Sequence, residues 1–160
     1  MNTQILQLAE QMKEAFEGEP WFGKSAVKLL DATTTEMALQ QPAGQHSILE
    51  LVWHMANWKA FAVNRLRKDA SVPLHHFEEL DWRPLDHTDG SLWPQGVLLY
   101  KKMHNELVEV LQQQTDGLLH ENVFERDYSY SKLINGVLQH DVYHLGQIAY
   151  IQKLVLAQKR

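Results

Sequence analysis

A chain of 160 residues with 44% apolar and 22% charged residues has the length and composition of one globular domain with room for a substantial core. Its net charge of −5, with no block of lysine or arginine, argues against nucleic acid or an anionic membrane as partner. Cysteine is absent, which excludes disulfides and thiolate ligands and means that any reactive thiol is supplied from outside.

No apolar run approaches the ~18 residues of a membrane helix, and no signal-peptide pattern opens the chain, so a cytoplasmic protein is the expectation. Ile5, Leu8, Met12 and Phe16 mark a first amphipathic helix, ended by Gly18 and Pro20. Trp21 to Gln41 reads as short helical pieces, one around Ala26, Leu29 and Leu30 and one around Met37 and Leu39, with Thr34 or Thr35 as cap. Pro42 and Gly44 break the chain, which makes this stretch a connector across the end of a bundle. Ser47-Ile48-Leu49-Glu50 has the spacing of a capping box and opens a second long helix to about Lys68. Ile48, Leu51, Met55, Trp58 and Ala62 form its buried stripe, with Phe61 beside it and His54 on the same face.

Asp69 to Gly90 has no sustained period and holds Pro73, Pro84, six acidic residues and His75, His76 and His87. A connection this long is either functional, as a lid or subunit contact, or a solvated excursion. Ser91 caps a third helix with Pro94 in its first turn. Trp93, Val97, Tyr100, His104, Leu107 and Leu111 face inward, and Gly117 closes the helix. Val123 to Tyr130 is the one β-like run and has no partner strand. Ser131 opens the last helix, whose stripe is Leu133, Val137, Ile148, Ile151 and Val155, and Lys159 and Arg160 suit its negative end. Four long amphipathic helices without a repeat or linker predict an all-α four-helix bundle filling residues 1–160 as one domain.

The last helix also carries the chemistry. His140 and His144 fall in phase with Val137, Ile148 and Ile151, which puts both imidazoles on one side of the helix, one turn apart. Ring nitrogens without partners on a core-facing stripe cost roughly 1–3 kcal/mol each. A divalent metal removes that cost, since neutral imidazole is a good ligand for zinc, nickel, copper or iron. The alternative is a half-exposed pair satisfied by water or carbonyls. His-Asp-Val-Tyr-His differs from the His-Glu-x-x-His protease helix in its shorter carboxylate, and residues 145–160 hold no His, Asp, Glu or Cys as a downstream ligand. A third ligand must come from upstream. Among His46, His54, His75, His76, His87, His104 and His120, only His54 and His104 lie on apolar helical stripes. His54 is the better placed. His104 reads as a satisfied core histidine, with a place at or beside the metal as the alternatives.

Ser47-Ile48, Trp53-His54-Met55 and Trp58-Lys59, together with the run from Gly136 to Ile148 that contains His140-Asp141-Val142-Tyr143-His144-Leu145-Gly146-Gln147, resemble the DinB-like (YfiT-like) superfamily. The resemblance extends over nearly the whole chain, including Trp21, the break at Pro42 and Asp81-Trp82. It implies an up-down-down-up bundle, often a homodimer, with a metal held by three histidines that map onto His54, His140 and His144. The long connection over 69–90 agrees with a crossover between parallel second and third helices.

Three neutral ligands leave a metal its full charge and an open position, the pattern of a catalytic site. Such an ion brings bound water toward a pKa of ~7, or binds and deprotonates a thiol. The resemblance implies both: metal-dependent hydrolases, and S-transferases or isomerases that use bacillithiol, mycothiol or glutathione. The expectation is one divalent ion per chain, zinc or nickel, with a low-molecular-weight thiol, acting in thiol transfer on a small molecule. Metal-dependent hydrolysis is the alternative, and a non-enzymatic metal-stabilised bundle is the third reading. Glu50 and Asp141 are the carboxylates nearest the ligands in sequence and candidates for catalysis or for orienting an imidazole. Asp141, about 100° round the helix from His140, better suits a bond to a neighbouring helix. Gln147 and Tyr143 are candidates beside the ligands, Trp58, Tyr100 and Tyr150 for the pocket wall, and Lys59, Arg65 and Arg67 for a basic groove. For each, plain packing or a solvated surface is the alternative.

Overall fold

The structure is a computed structural model that describes residues 2–158. These form an all-helical bundle of seven α-helices and a 3-10 turn. Four helices are long: α1 (Thr3–Glu17), α4 (Ile48–Leu66), α6 (Leu92–Gln112) and α7 (Tyr130–Gln158). Three are short: α2 (Ala26–Asp31), α3 (Thr35–Leu39) and α5 (Leu74–Glu79). The 3-10 turn spans Asp116–His120.

Helix ends follow local chemistry. The Ser47 capping box is complete, with Glu50 N–H donating to Ser47 Oγ (3.1 Å) and Ser47 N–H donating to Glu50 Oε2 (2.7 Å). Thr34 caps α3 by accepting from Met37 N–H at 3.2 Å. The start of α1 is capped from a distance, since Gln4 and Ile5 N–H both donate to the Asp116 carboxylate. Those bonds, led by Ile5, hold the Asp116 pKa below its ordinary value.

Several boundaries differ from the sequence reading. Helix α6 ends at Gln112, and Gly117 lies inside the following 3-10 turn, where no left-handed glycine is needed. Helix α7 starts one residue before Ser131, and Ser129 Oγ accepts from Lys132 N–H instead. Ser91 precedes α6 but makes no capping bond; its hydroxyl accepts from the Gln95 side chain. Among the described residues Val123 to Tyr130 forms no strand, as expected, but turns back through Val123 N–H to Tyr128 O (2.9 Å) and Tyr130 N–H to Glu121 O (2.9 Å), with one isolated bridge between Asn122 and Ser129. Lys159 and Arg160 lie outside the described residues.

Helix α4 is the hub. Trp53 lies against Gly96, Lys59 Nζ is 3.4 Å from His104 Nδ1, and Arg67 pairs with Glu106, so α4 and α6 run side by side in the same direction. A Cβ at position 96 would fall 2.6 Å from the Trp53 indole nitrogen, so glycine is what lets these helices approach. Helix α7 runs opposite to α4, with His144 beside His54 and Tyr130 O–H donating to Arg65 O at 2.6 Å.

Two apolar clusters fill the bundle. One gathers Leu66, Leu107, Leu111, Leu133 and Ile134, and the other gathers Ile48, Leu49, Val52, Ile148 and Ile151. Between them lies a polar layer built from His54 and Lys59 of α4, His104 of α6, and His140, Asp141 and His144 of α7.

The connection over 69–90 contains α5, which the absence of a sustained period did not predict. Six residues are under two turns, too few to show a period. It is fastened by Phe77, whose ring meets Phe61 at 5.3 Å and whose carbonyl accepts from Asn57 Nδ2 at 2.8 Å. No described helix is long and apolar enough to cross a membrane.

Candidate metal centre

The structure brings His54, His140 and His144 together from α4 and α7. Their Nε2 atoms are separated by 2.8 Å (His54–His140), 3.1 Å (His54–His144) and 3.0 Å (His140–His144). His54 and His144 are buried and His140 is half-buried. Burial lowers all three pKa values below the ordinary histidine range, that of His140 to about 3, where the neighbouring imidazoles push the same way. At neutral pH the cluster therefore holds uncharged rings.

A neutral imidazole carries one N–H and one lone pair. His144 Nδ1–H donates to Gln147 Oε1 at 2.6 Å, which leaves the lone pair on Nε2. His54 Nδ1 lies 2.6 Å from Asp81 Oδ1, a short contact set off the line of an ideal hydrogen bond. A carboxylate oxygen at that distance is met by an N–H, so the His54 lone pair also sits on Nε2. His140 Nδ1 is buried without a hydrogen-bond partner. At least two lone pairs thus face one another about 3 Å apart. The arrangement fits a cation: four-coordinate zinc with Zn–N near 2.0–2.1 Å holds its ligand nitrogens roughly 3.3 Å apart. The residues suit a soft or borderline divalent ion bound by three nitrogens.

The other candidates fall into place around this cluster. Gln147 touches His144, and Tyr143, though largely exposed, packs its ring edge-on against His144 with centroids 5.0 Å apart, whereas the largely exposed Tyr150 has no contact with the three rings. Glu50 is engaged by the capping box and lies 3.6 Å from His46 and from His87, touching none of the three clustered rings. Asp141 turns away from them to an ion pair with Lys59, and Tyr100 O–H donates to it at 3.2 Å. His104 stacks on Phe16 with ring centroids 3.7 Å apart, a satisfied core histidine as expected. Burial, with Lys59 beside it, holds its pKa down to about 2.

The basic groove is not formed. Lys59 and Arg65 are each only 1% exposed, Lys59 against Asp141 and Arg65 against Glu125, while Arg67 pairs with Glu106 at the surface. Lys59 follows Met55 by four residues and precedes Ala62 by three, so its place on the buried stripe was readable.

Asp81 and Trp82 are the residues that sequence reasoning did not assign to the site. Trp82 stacks on His54 (centroids 3.8 Å, planes 10° apart) and, by its other face, on His46 (3.8 Å, 9°). The available signals were the indole itself, the largest apolar group of the connection and in need of cover, and the place of Asp81-Trp82 within the family resemblance.

Beside His140 opens a cleft of about 600 Å³ between α4 and α7. Trp58, Phe61, Leu133 and Val137 supply apolar wall, Lys132 and Gln139 polar rim, and no carboxylate lines it.

A family model described as the DinB superfamily matches residues 23–148, a span that includes every residue of the cluster. The chain belongs to that superfamily. No curated protein matches it.

Proposed function

We propose that this member of the DinB superfamily is a metal-dependent enzyme whose His54, His140 and His144 hold one divalent ion, zinc or nickel, with a position left open toward the cleft. The observation that carries the reading is the meeting of three uncharged imidazoles through their Nε2 atoms, an arrangement suited to a cation. Such an ion supplies Lewis acidity, enough to hold a thiol as thiolate or to acidify a water.

Within this proposal the preferred reaction is transfer involving a low-molecular-weight thiol. The cleft beside His140 contains no Asp or Glu to act as general base, and Asp141 and Glu50 are committed elsewhere. A thiol bound to a metal is deprotonated without a protein base, whereas activation of water gains from one. Trp58, Phe61, Leu133 and Val137 offer the apolar body of a small substrate a wall next to the reacting position.

Metal analysis of the purified protein, followed by titration of the loaded form with glutathione and other small thiols, tests this. One equivalent of metal, with a thiol that raises the melting temperature or alters a cobalt-substituted spectrum, supports thiol transfer. Metal without any thiol response moves the reading to hydrolysis. Metal that raises the melting temperature while screens for both activities stay blank leaves a metal-stabilised bundle. No metal overturns the proposal.

A further inference from the structure

We infer that Asp81, seconded by Trp82, is the positioning residue that orients His54 and sets the cation affinity of the three-histidine cluster. The inference rests on the metal-centre reading above and extends it to residues outside the cluster.

The three rings differ in how they are held. His144 is steadied from its own helix by Gln147, and His140 stands one turn away on the same helix. His54 comes alone from α4, and nothing on α4 bonds its ring. The chain meets that need from the connection between α5 and α6. Asp81 Oδ1 lies 2.6 Å from His54 Nδ1 and accepts from Trp58 Nε1–H at 2.6 Å. His54 and Trp58 are one turn apart on α4, so a single carboxylate oxygen spans both side chains. Trp82, the next residue, covers the face of the His54 ring.

The chemistry follows from the contact. A carboxylate at Nδ1 keeps the proton there, turns the Nε2 lone pair toward the cluster and makes it a stronger donor. Among the described residues Asp81 is the one carboxylate in contact with any of the three rings. Trp58 also walls the cleft, so the same oxygen ties a surface that a substrate touches to a ligand of the ion.

The test is competitive zinc titration of the full chain against a chromophoric chelator, for wild type, Asp81→Asn and Asp81→Ala, with melting temperatures of the metal-free proteins. Asp81→Ala is expected to weaken zinc by about 10–100-fold, the usual size of such outer contacts. Asp81→Asn, which keeps an oxygen but not the charge, should fall between. Metal-free melting temperatures should not follow that order, which separates positioning from plain stability. A cobalt spectrum of Asp81→Ala should shift, since the His54 ring is released to turn.

Zinc affinity of Asp81→Ala within twofold of wild type overturns this inference alone, as does a loss that tracks the metal-free melting temperatures. If either variant fails to fold, nitrogen NMR of metal-free wild type decides: a His54 ring protonated at Nδ1 supports the inference, and one protonated at Nε2 overturns it. A wild-type chain that binds no zinc overturns the metal-centre reading and this inference with it.

Discussion

Lys59, Tyr100, His104 and Asp141 form a buried polar group beside the three histidines, built on α4, α6 and α7 in the same layer of the bundle. Within it charge is balanced, because the Lys59 ammonium meets the Asp141 carboxylate and the Tyr100 hydroxyl donates to that same carboxylate. In the neighbouring cluster acceptors face acceptors, and no charged group among the described residues enters between the Nε2 atoms. Adjacent residues of one helix, His140 and Asp141, thus belong to opposite kinds of site. The difference teaches how a core sorts polar residues. A group whose opposite charges pair within it leaves little to attract a cation, even with Asp141 Oδ1 unbonded, whereas one with surplus lone pairs suits a cation from outside.

The largest expected effect divides the two groups outright. His54→Ala, His140→Ala and His144→Ala each abolish stoichiometric zinc binding, measured by metal analysis after dialysis, while His104→Ala keeps close to one equivalent. Equal loss in His104→Ala would make the two groups one site.

Next in size is the balance of the closed group. Lys59→Met or Asp141→Leu alone leaves a buried charge without its partner and should cost about 3–5 kcal/mol in urea unfolding. The double replacement should recover most of that loss. Single variants close to wild type would show that the pair is less sealed from water than its 1% and 8% side-chain exposures suggest.

The next effect is small near neutral pH and grows with acid. The His104 pKa is held to about 2 by burial and by Lys59, against an ordinary value of 6.5. Between those values the unfolded chain carries a proton that the folded chain refuses, so stability is full above about 6.5 and falls as pH drops toward 2. His104→Phe, which preserves the stack on Phe16, should flatten the acid limb of stability against pH by about 1.4 kcal/mol per pH unit. An unchanged limb would mean that His104 takes up its proton in the folded state.

The smallest effect serves as the control. Arg67→Ala removes a half-exposed pair with Glu106 outside both groups and should change stability by less than about 1 kcal/mol, with zinc binding untouched.

Much of this was legible in the sequence because it is periodic. The stripes of α1, α4, α6 and α7 repeat over enough turns to show their phase, and His54, His140 and His144 were found by riding on those stripes. The Ser47–Glu50 box declared itself by spacing alone. What stayed hidden has no period. Asp81 reaches His54 through a non-repeating connection whose one helix is under two turns long, and its partner depends on how that connection folds back. The burial of Lys59 and Arg65 was obscured for another reason. Their charge suggested a surface, while helical phase set them among Met55, Phe61 and Ala62. Phase prevailed, because Asp141 and Glu125 arrive from other parts of the chain to neutralise them.

The separation along the chain between His54 and its two companions, 86 and 90 residues, bears on when the site comes into being. Closing so large a loop is entropically disfavoured until α6 and the long crossover are in place to hold α4 and α7 together. During synthesis α4 emerges well before α7, so a lone imidazole on a half-made bundle offers an ion one donor. The full set of donors exists only once α7 has docked on α4.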